Sequence, residues 1–457
     1  MLVSVWVLLI MKCFILINEA SGLAGGKSFE PLILTPFLKK GLIKTSQKLA
    51  TTYIGGRTSY SGYFTVNEAC ESNLFFWFFK AEKNWQTTPM LLWLNGGPGS
   101  TSMFGLFEEQ IGPWNHLKTG FEPNKYAWTQ YFNVIFFDQP VGTGYSFTNK
   151  GCYAENMTVV RNDMYSALVQ FFTMFPDLKN NSFFMTGESY AGMYIPAIAH
   201  EIDIQNPTAL VKINLTGIIM GNPEIDMRCI YTANYLYELG IIDSKTRDGI
   251  KSKFDEFIKA LDAKNYTRAY ELESQAFGND QMREAGLPSD YNIIYDKERK
   301  DEFQFYIRNY KIRRQLHVGP IPFTLNSNTV LDKLLFYAYK SEAKMFIEEL
   351  LKTNKYIVGL YAGQLDVLCL YSSIPCVVAG LDWPGQQVYK QAPRLRWYVE
   401  GNLAGWIKIA GNLWEVAVRK SGHDLPTDYG EAALDLITAA TADSPGSPLL
   451  TRLTTQQ

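Results

Sequence analysis

Histidine is scarce in this chain, with four among 457 residues, at positions 116, 200, 317 and 423. Any chemistry that needs an imidazole must draw on these four. A surplus of positive charge is also missing: 43 Lys and Arg stand against 45 Asp and Glu, a formal net charge of −2. With no basic arm or patch, nucleic acid is not an expected partner. Beyond the N-terminus no apolar run is long enough to cross a bilayer, so stable membrane insertion is not expected. The pattern His-Glu-x-x-His is absent, and neither a metal ion nor an organic cofactor is expected. Internal repeats are lacking too. What is plentiful is apolar residue, 47% of the chain with 14% aromatic. That is enough to bury one large domain carrying an insertion, or two domains.

Residues 1–22 read as a secretory signal ending in the small residues Ala20, Ser21 and Gly22, which offer a cleavage site. Lys12 interrupts the apolar stretch. Either Met1–Met11 already supplies the apolar core, or translation starts at Met11 with Lys12 as the charged leader. Export gives meaning to four glycan-acceptor sequons, at Asn156, Asn180, Asn214 and Asn265. Of six cysteines, Cys13 leaves with the signal, and Cys70, Cys152, Cys229, Cys369 and Cys376 remain. An odd number in an oxidising compartment leaves at least one thiol free or bonded to another chain. The other four allow three pairings, among which the sequence does not choose.

Tyr60–Lys80 alternates as an antiparallel strand pair would. Met90–Leu94, Val134–Phe137, Phe183–Thr186, Ile213–Met220, Tyr356–Tyr361 and Trp414–Val418 are short apolar runs with Gly or Pro nearby, the marks of buried strands. Arg161–Phe175 has helical spacing between two of them. The alternation predicts an α/β fold, a central mixed and mostly parallel sheet with helices on both faces. Between residues 223 and 345 the pattern turns helical, as in Ile250, Phe254, Phe257, Ile258 and Leu261. The expected organisation is a signal at 1–22, a core at 23–222 and 346–440 interrupted by a helical insertion at 223–345, and a polar tail at 441–457.

Chemistry concentrates at strand ends. Gly187-Glu188-Ser189-Tyr190-Ala191-Gly192 follows an apolar run and leads into a helical stretch. A strand that turns sharply into a helix lifts a serine hydroxyl clear of the sheet, as a nucleophile requires. Gly-x-Ser alone is weak, since most such serines are turns. Two further strand ends add weight, those carrying Asp366 and His423. The order Ser189, Asp366, His423 is the one found in α/β-hydrolases. Asp332 and Asp382 are the competing acids, but Asp366 follows the Tyr356–Tyr361 strand at its carboxyl end, where reactive loops gather. Among the histidines, His200 falls in a helical stretch, His116 in a polar loop and His317 beside the insertion. His423 occupies a Gly-rich loop after the last strand. The loop Asn95-Gly96-Gly97-Pro98-Gly99 ends another strand and is not followed by Gly-Lys-Ser/Thr, so it is not a phosphate cradle. Its Gly97 N–H, with that of Tyr190, could hold an oxyanion.

Taken with Trp93-Leu94-Asn95-Gly96-Gly97-Pro98-Gly99, Asp138-Gln139-Pro140-Val141-Gly142-Thr143-Gly144-Tyr145-Ser146 and Gly422-His423, the chain resembles the serine carboxypeptidases, and among them the vitellogenic type, from about Ser61 to about Ala440. The resemblance implies the α/β-hydrolase fold with the insertion as a cap over the active site. It implies an acyl-enzyme mechanism on C-terminal peptide bonds, and substrate contacts at Trp93, Asn95, Gly96, Glu109, Glu188, Cys369 and Asp424. Asn95, Glu109 and Glu188 match the residues that bind the terminal carboxylate. Two neighbouring carboxyls sharing a proton could donate to that anion, favouring acidic pH and a secreted or lysosomal/vacuolar setting. Cys369 matches a cleft thiol of relatives and is the expected free cysteine. Ser100-Thr101-Ser102 stands where many relatives carry cysteine, so a disulfide common in the family is expected to be absent. Asp424 stands where an apolar residue is frequent; if it lines the leaving-group pocket, its charge would favour C-terminal Lys or Arg. An acyltransferase or esterase on the same scaffold, or a non-catalytic protective homologue, are the rival expectations. A homodimer is left open.

Overall fold

The computed structural model describes residues 29–117, 120–276, 279–297 and 301–442. The expected signal at 1–22, and all but the first two residues of the expected tail at 441–457, lie outside the described residues. Fourteen strands are described. They are β1 (Thr51–Ile54), β2 (Arg57–Asn67), β3 (Ser72–Phe79), β4 (Met90–Leu94), β5 (Trp114–Leu117), β6 (Gly120–Pro123) and β7 (Asn133–Asp138), then β8 (Phe147–Thr148), β9 (Phe183–Glu188), β10 (Leu215–Gly221), β11 (Ile357–Gly363), β12 (Leu395–Val399), β13 (Asn402–Ala410) and β14 (Leu413–Val418). Twelve form one sheet in the order β1-β2-β3-β7-β4-β9-β10-β11-β14-β13-β12, with β8 beside β3, while β5 and β6 pair separately.

The six central strands, from β7 to β14, run parallel. The flanks are antiparallel, with β2 on β3 and β3 on β7 at one side and β14, β13 and β12 at the other. Every residue of β4, β7, β9 and β11 is buried, which requires cover on both faces. Consecutive residues serve opposite faces. Phe183 and Met185 join the core under the helices Met157–Met174 and Ala191–Gln205, whereas Phe184 joins the core under the helix Gly430–Ala442.

Between β10 and β11 the described residues form helices and no strand. The longest, Ser244–Asp262, is capped by Asp243, whose carboxylate accepts from Thr246 N at 2.8 Å. It buries Ile250, Phe254, Phe257, Ala260 and Leu261 along one face. A small apolar cluster joins this region to the main body through Val367, the neighbour of Asp366.

Cys70 bonds Cys152 and Cys229 bonds Cys376, while Cys369 is free and buried. The bridges close 82 and 147 residues of chain, each worth about 4–5 kcal/mol in the chain-entropy account. Asn156, Asn180, Asn214 and Asn265 are all exposed. Asn156 and Asn265 engage neighbouring backbone N–H groups through Oδ1 only. Asn214 instead donates through Nδ2 to the carbonyls of Asn180 and Asn181, so a glycan there would displace one of those bonds.

Candidate active site

Parallel central strands place their carboxyl ends on one side, and the loops that follow meet there. Leu94 of β4 lies beside Gly187 of β9, and Glu188 lies beside Gly221 of β10. A Cβ on Gly187 would come within 2.2 Å of the Leu94 carbonyl, and one on Gly192 within 2.5 Å of the Glu224 carbonyl. Glycine at both positions lets the turn between them close tightly. Ser189 sits at its apex with φ +60°, a left-handed backbone unusual for a residue with a side chain. The turn is locked by Ser189 N donating to Gly221 O at 3.1 Å and by Glu224 N donating to Ser189 O at 3.0 Å. Tyr190, at the N-terminus of the helix Ala191–Gln205, offers a backbone N–H at the end where helical donors lack intrahelical partners. Gly96 presses against it: a Cβ there would lie 2.4 Å from Tyr190 N.

His423 follows β14, and its backbone is pinned by donation to Tyr291 O at 2.7 Å. Its Nδ1 lies 2.8 Å from Asp366 Oδ2. The Tyr291 ring packs edge-on against the imidazole at 4.7 Å between centroids. Asp366 is fully buried and held on its other oxygen by Leu368 N at 2.7 Å and Cys369 N at 3.1 Å. The Asn222 side-chain amide also donates to Asp366 Oδ2. The imidazole is thus oriented with Nε2 directed away from Asp366. That Nε2 is buried and makes no hydrogen bond among the described residues, Ser189 included. Ser189 and His423 line the same cleft of about 370 Å³. Burial alone would lower the His423 pKa, but Asp366, by its charge and its hydrogen bond, with Asp424 and Asp290 behind it, pushes it up to about 9.

Beside Ser189 the cleft carries a carboxyl pair. Asn95 Nδ2 donates to Glu109 Oε1 at 2.5 Å and to Glu188 Oε1 at 3.3 Å. Burial, then the neighbouring charges of Glu109 and Asp424 and a hydrogen bond with Glu109, hold the Glu188 carboxyl well above the usual carboxylate range. Two buried carboxyls in contact disfavour ionisation of both at once. Asn95 is itself fixed through Oδ1, which accepts from Trp93 Nε1 and Gly105 N, both at 3.0 Å.

Asn95, Gly96, Gly97, Glu109, Glu188, Ser189, His423 and Asp424 all line the cleft. Two expected contacts do not. Trp93 is fully buried beneath Asn95, its ring 5.6 Å edge-on to Trp128, and it orients Asn95 rather than facing substrate. The Cys369 thiol is buried in the main apolar core, and burial keeps its pKa well above the ordinary thiol value. Its backbone N–H serves Asp366 instead. Asn222, Tyr291 and Asp290 were not foreseen, although Asn222 follows the end of β10 just as Ser189 follows the end of β9. The helical stretch between β10 and β11 also supplies Met282, Ser289 and Asn326 to the cleft wall.

Residues 52–443 match the family model of serine carboxypeptidase. The chain belongs to the serine carboxypeptidase family. It is 37% identical to the probable serine carboxypeptidase CPVL of Homo sapiens over 90% of each chain. It is 36% identical to the venom serine carboxypeptidase of Apis mellifera, over 90% of this chain and 91% of that one. Identity to the vitellogenic carboxypeptidase of Aedes aegypti is 35%, over 93% and 92%. The family's α/β-hydrolase fold is shared with a solved prohormone-processing carboxypeptidase of Saccharomyces cerevisiae, at TM-score 0.77 and 19% identity over 87% of this chain and 96% of that one. The protein is therefore a hydrolase of this family. No helix among the described residues is long and apolar enough to cross a membrane.

The electrostatics carry a consequence for stability. Asp138, fully buried at the end of β7, is pushed up to about 7 by burial, against hydrogen bonds from Thr101, Tyr145 and Ser102. For Asp138 and Glu188 the unfolded chain loses its protons first, so their contribution is complete below about pH 4 and is lost as pH rises through the folded values. The raised His423 has the same sign: its contribution is present below its ordinary pKa and is lost as pH climbs through about 9. The melting temperature should fall from about pH 5 to about pH 9, and Asp366→Asn should flatten the upper part of that slope. Thermal unfolding across a buffer series checks both.

Proposed function

We propose that the protein removes the C-terminal residue of peptides and proteins through a covalent acyl-enzyme on Ser189. The observation that carries this reading is the buried Glu109 and Glu188 carboxyl pair beside the serine, both accepting from Asn95 Nδ2. Glu109 and Glu188, aligned by Asn95, can donate a hydrogen bond to a substrate's terminal carboxylate, which an ionised pair would repel. With that end docked, the last peptide bond lies over Ser189. The serine oxygen attacks its carbonyl while His423 takes the hydroxyl proton, and Asp366 keeps the ring in the tautomer that accepts through Nε2. Charge forming on the carbonyl oxygen is met by the N–H groups of Gly97 and Tyr190. His423 returns its proton to the leaving amine, the terminal residue departs, and water then releases the acyl group from Ser189 by the same relay. The stretch 223–345 acts as a cap closing this cleft from above. Secretion or delivery to a lysosome-like or vacuolar compartment, with glycans on some of the four sequons, fits the N-terminal signal and the kinship with a venom enzyme.

Binding and turnover respond to pH in opposite ways. Substrate binding weakens as pH rises and the carboxyl pair loses its shared proton. Turnover weakens as pH falls below the raised His423 value of about 9 and the ring charges, so at acidic pH it runs through the minority of chains whose ring is neutral. For a free-acid peptide, KM should rise with pH, whereas its C-terminally amidated counterpart should be cleaved at least about tenfold less efficiently at acidic pH, the loss of one charge-assisted contact or more. Equal rates on the two peptides would point instead to an ester or amide role.

Asp424 adjoins His423 and lines the cleft, where it supplies charge to the side that receives the departing residue. Peptides ending in Arg should be preferred to those ending in Leu. Asp424→Leu should reduce that preference by about tenfold, the scale of one lost charge-assisted hydrogen bond. Competition between the two peptides, read by mass spectrometry, measures the ratio, and an unchanged ratio removes Asp424 from specificity.

A further inference from the structure

Asp138 ends β7 fully buried, and no lysine, arginine or histidine is among the groups acting on it. An uncompensated buried carboxyl is costly unless its oxygens are hydrogen-bonded. Here they are. Oδ1 accepts from Thr101 Oγ1 at 2.5 Å and from Ser102 N at 3.2 Å, and Oδ2 accepts from Tyr145 N at 2.8 Å. The carboxyl therefore ties together two loops that are distant in sequence, 95–102 and 139–146. Space has been cleared for it as well. Gly144 has φ +55°, and a Cβ there would fall 1.9 Å from Asp138 Oδ2.

The first of these loops carries the proposed recognition group. Ser102, whose N–H is held by Asp138, accepts through Oγ from Asn95 N at 3.3 Å. Asn95 then reaches Glu109 and Glu188. The same two loops grip the inserted region. Thr101 N donates to Leu325 O at 3.1 Å, Ser327 N donates to Gly99 O at 2.9 Å, and Gly144 exchanges both backbone bonds with Thr324. Asn326, between these contacts, accepts from Ser100 Oγ at 2.7 Å and lines the cleft. Asp138 contacts neither the cleft nor Ser189, so its influence must pass through Thr101 and Ser102.

We propose that Asp138 is a positioning residue for substrate recognition: by holding Thr101 and Ser102 it sets the direction in which Asn95 meets the carboxyl pair and the incoming terminal carboxylate. The proposal rests on the exopeptidase reading above. It differs from a purely structural role in what it disturbs. Loosening Asp138 should damage recognition of a free C-terminus more than it damages acyl transfer at Ser189, whose turn is fixed by separate bonds to Gly221 and Glu224.

The test compares the parent with Thr101→Val, Thr101→Ser and Asp138→Asn on three substrates: a free-acid peptide, its amidated form and a small ester lacking a carboxylate. Thr101→Val should raise KM for the free-acid peptide about tenfold, the scale of one lost buried hydrogen bond. Its ester kcat should stay within about twofold of the parent's. Thr101→Ser, which keeps the hydroxyl, should restore the parent KM, and Asp138→Asn should move KM in the same direction and further. If Asp138→Asn does not accumulate as folded protein, the Thr101 pair decides. A parent-like KM in Thr101→Val, or equal losses on ester and peptide, overturns the positioning role while leaving the exopeptidase reading intact. A parent that cleaves the ester but neither peptide overturns both.

Discussion

Ser189 holds its left-handed backbone at the junction of a fully buried strand and a helix. A residue with a side chain keeps that conformation only where its surroundings over-determine it. Glycines at 187 and 192, with hydrogen bonds to Gly221 and Glu224, provide that surplus of constraint. The rest of the site is arranged around the resulting fixed point. Because the flanking strands run parallel, the loops that carry Asn95, Asn222, Asp366 and His423 leave the sheet on the same side as the serine.

Charge is organised as tightly as backbone. Asp366 is fully buried, and two N–H groups and the Asn222 amide hold it before it reaches His423. The carboxylate cannot turn away to water, so the ring it faces is held in one tautomer. On the other side of Ser189, Glu109 and Glu188 both accept from Asn95, and burial with the neighbouring Glu109 charge holds the Glu188 carboxyl well above the usual carboxylate range. One flank of the serine thus stabilises a positive ring, while the other can offer a hydrogen-bond donor to an anion. In the proposed mode of recognition, a free peptide C-terminus docks against this second flank.

Much of the fold was legible because buried strands are written as uninterrupted apolar runs. Met90–Leu94 and Phe183–Thr186 lie within the strands they predicted. The flank β12–β13 was not visible, since Asn402–Ala410 mixes Gly405, Lys408 and partly exposed residues with its apolar ones and lacks a clean period. The two disulfides could not be read, as three pairings were equally compatible with the spacing. At the site, strand ends pointed to Ser189, Asp366 and His423, but nearness in sequence was a poor guide to direction. Trp93 stands two residues before the cleft residue Asn95 and Cys369 directly after the cleft residue Leu368, yet their side chains turn into the core. Asn222 before Pro223 reads as an ordinary turn, and Tyr291 and Asp290 lie in a stretch without periodicity, so only three-dimensional packing brings the first to Asp366 and the other two to His423.

The account stands or falls on whether residue 189 is a nucleophile activated by His423. Exposure of the intact protein to a fluorophosphonate, followed by peptide mapping, measures this directly. One adduct per chain on the peptide holding Ser189, lost in Ser189→Ala and slowed by at least about a hundredfold in His423→Ala, is the predicted result. Absence of labelling in the folded protein, or labelling indifferent to His423, would contradict it.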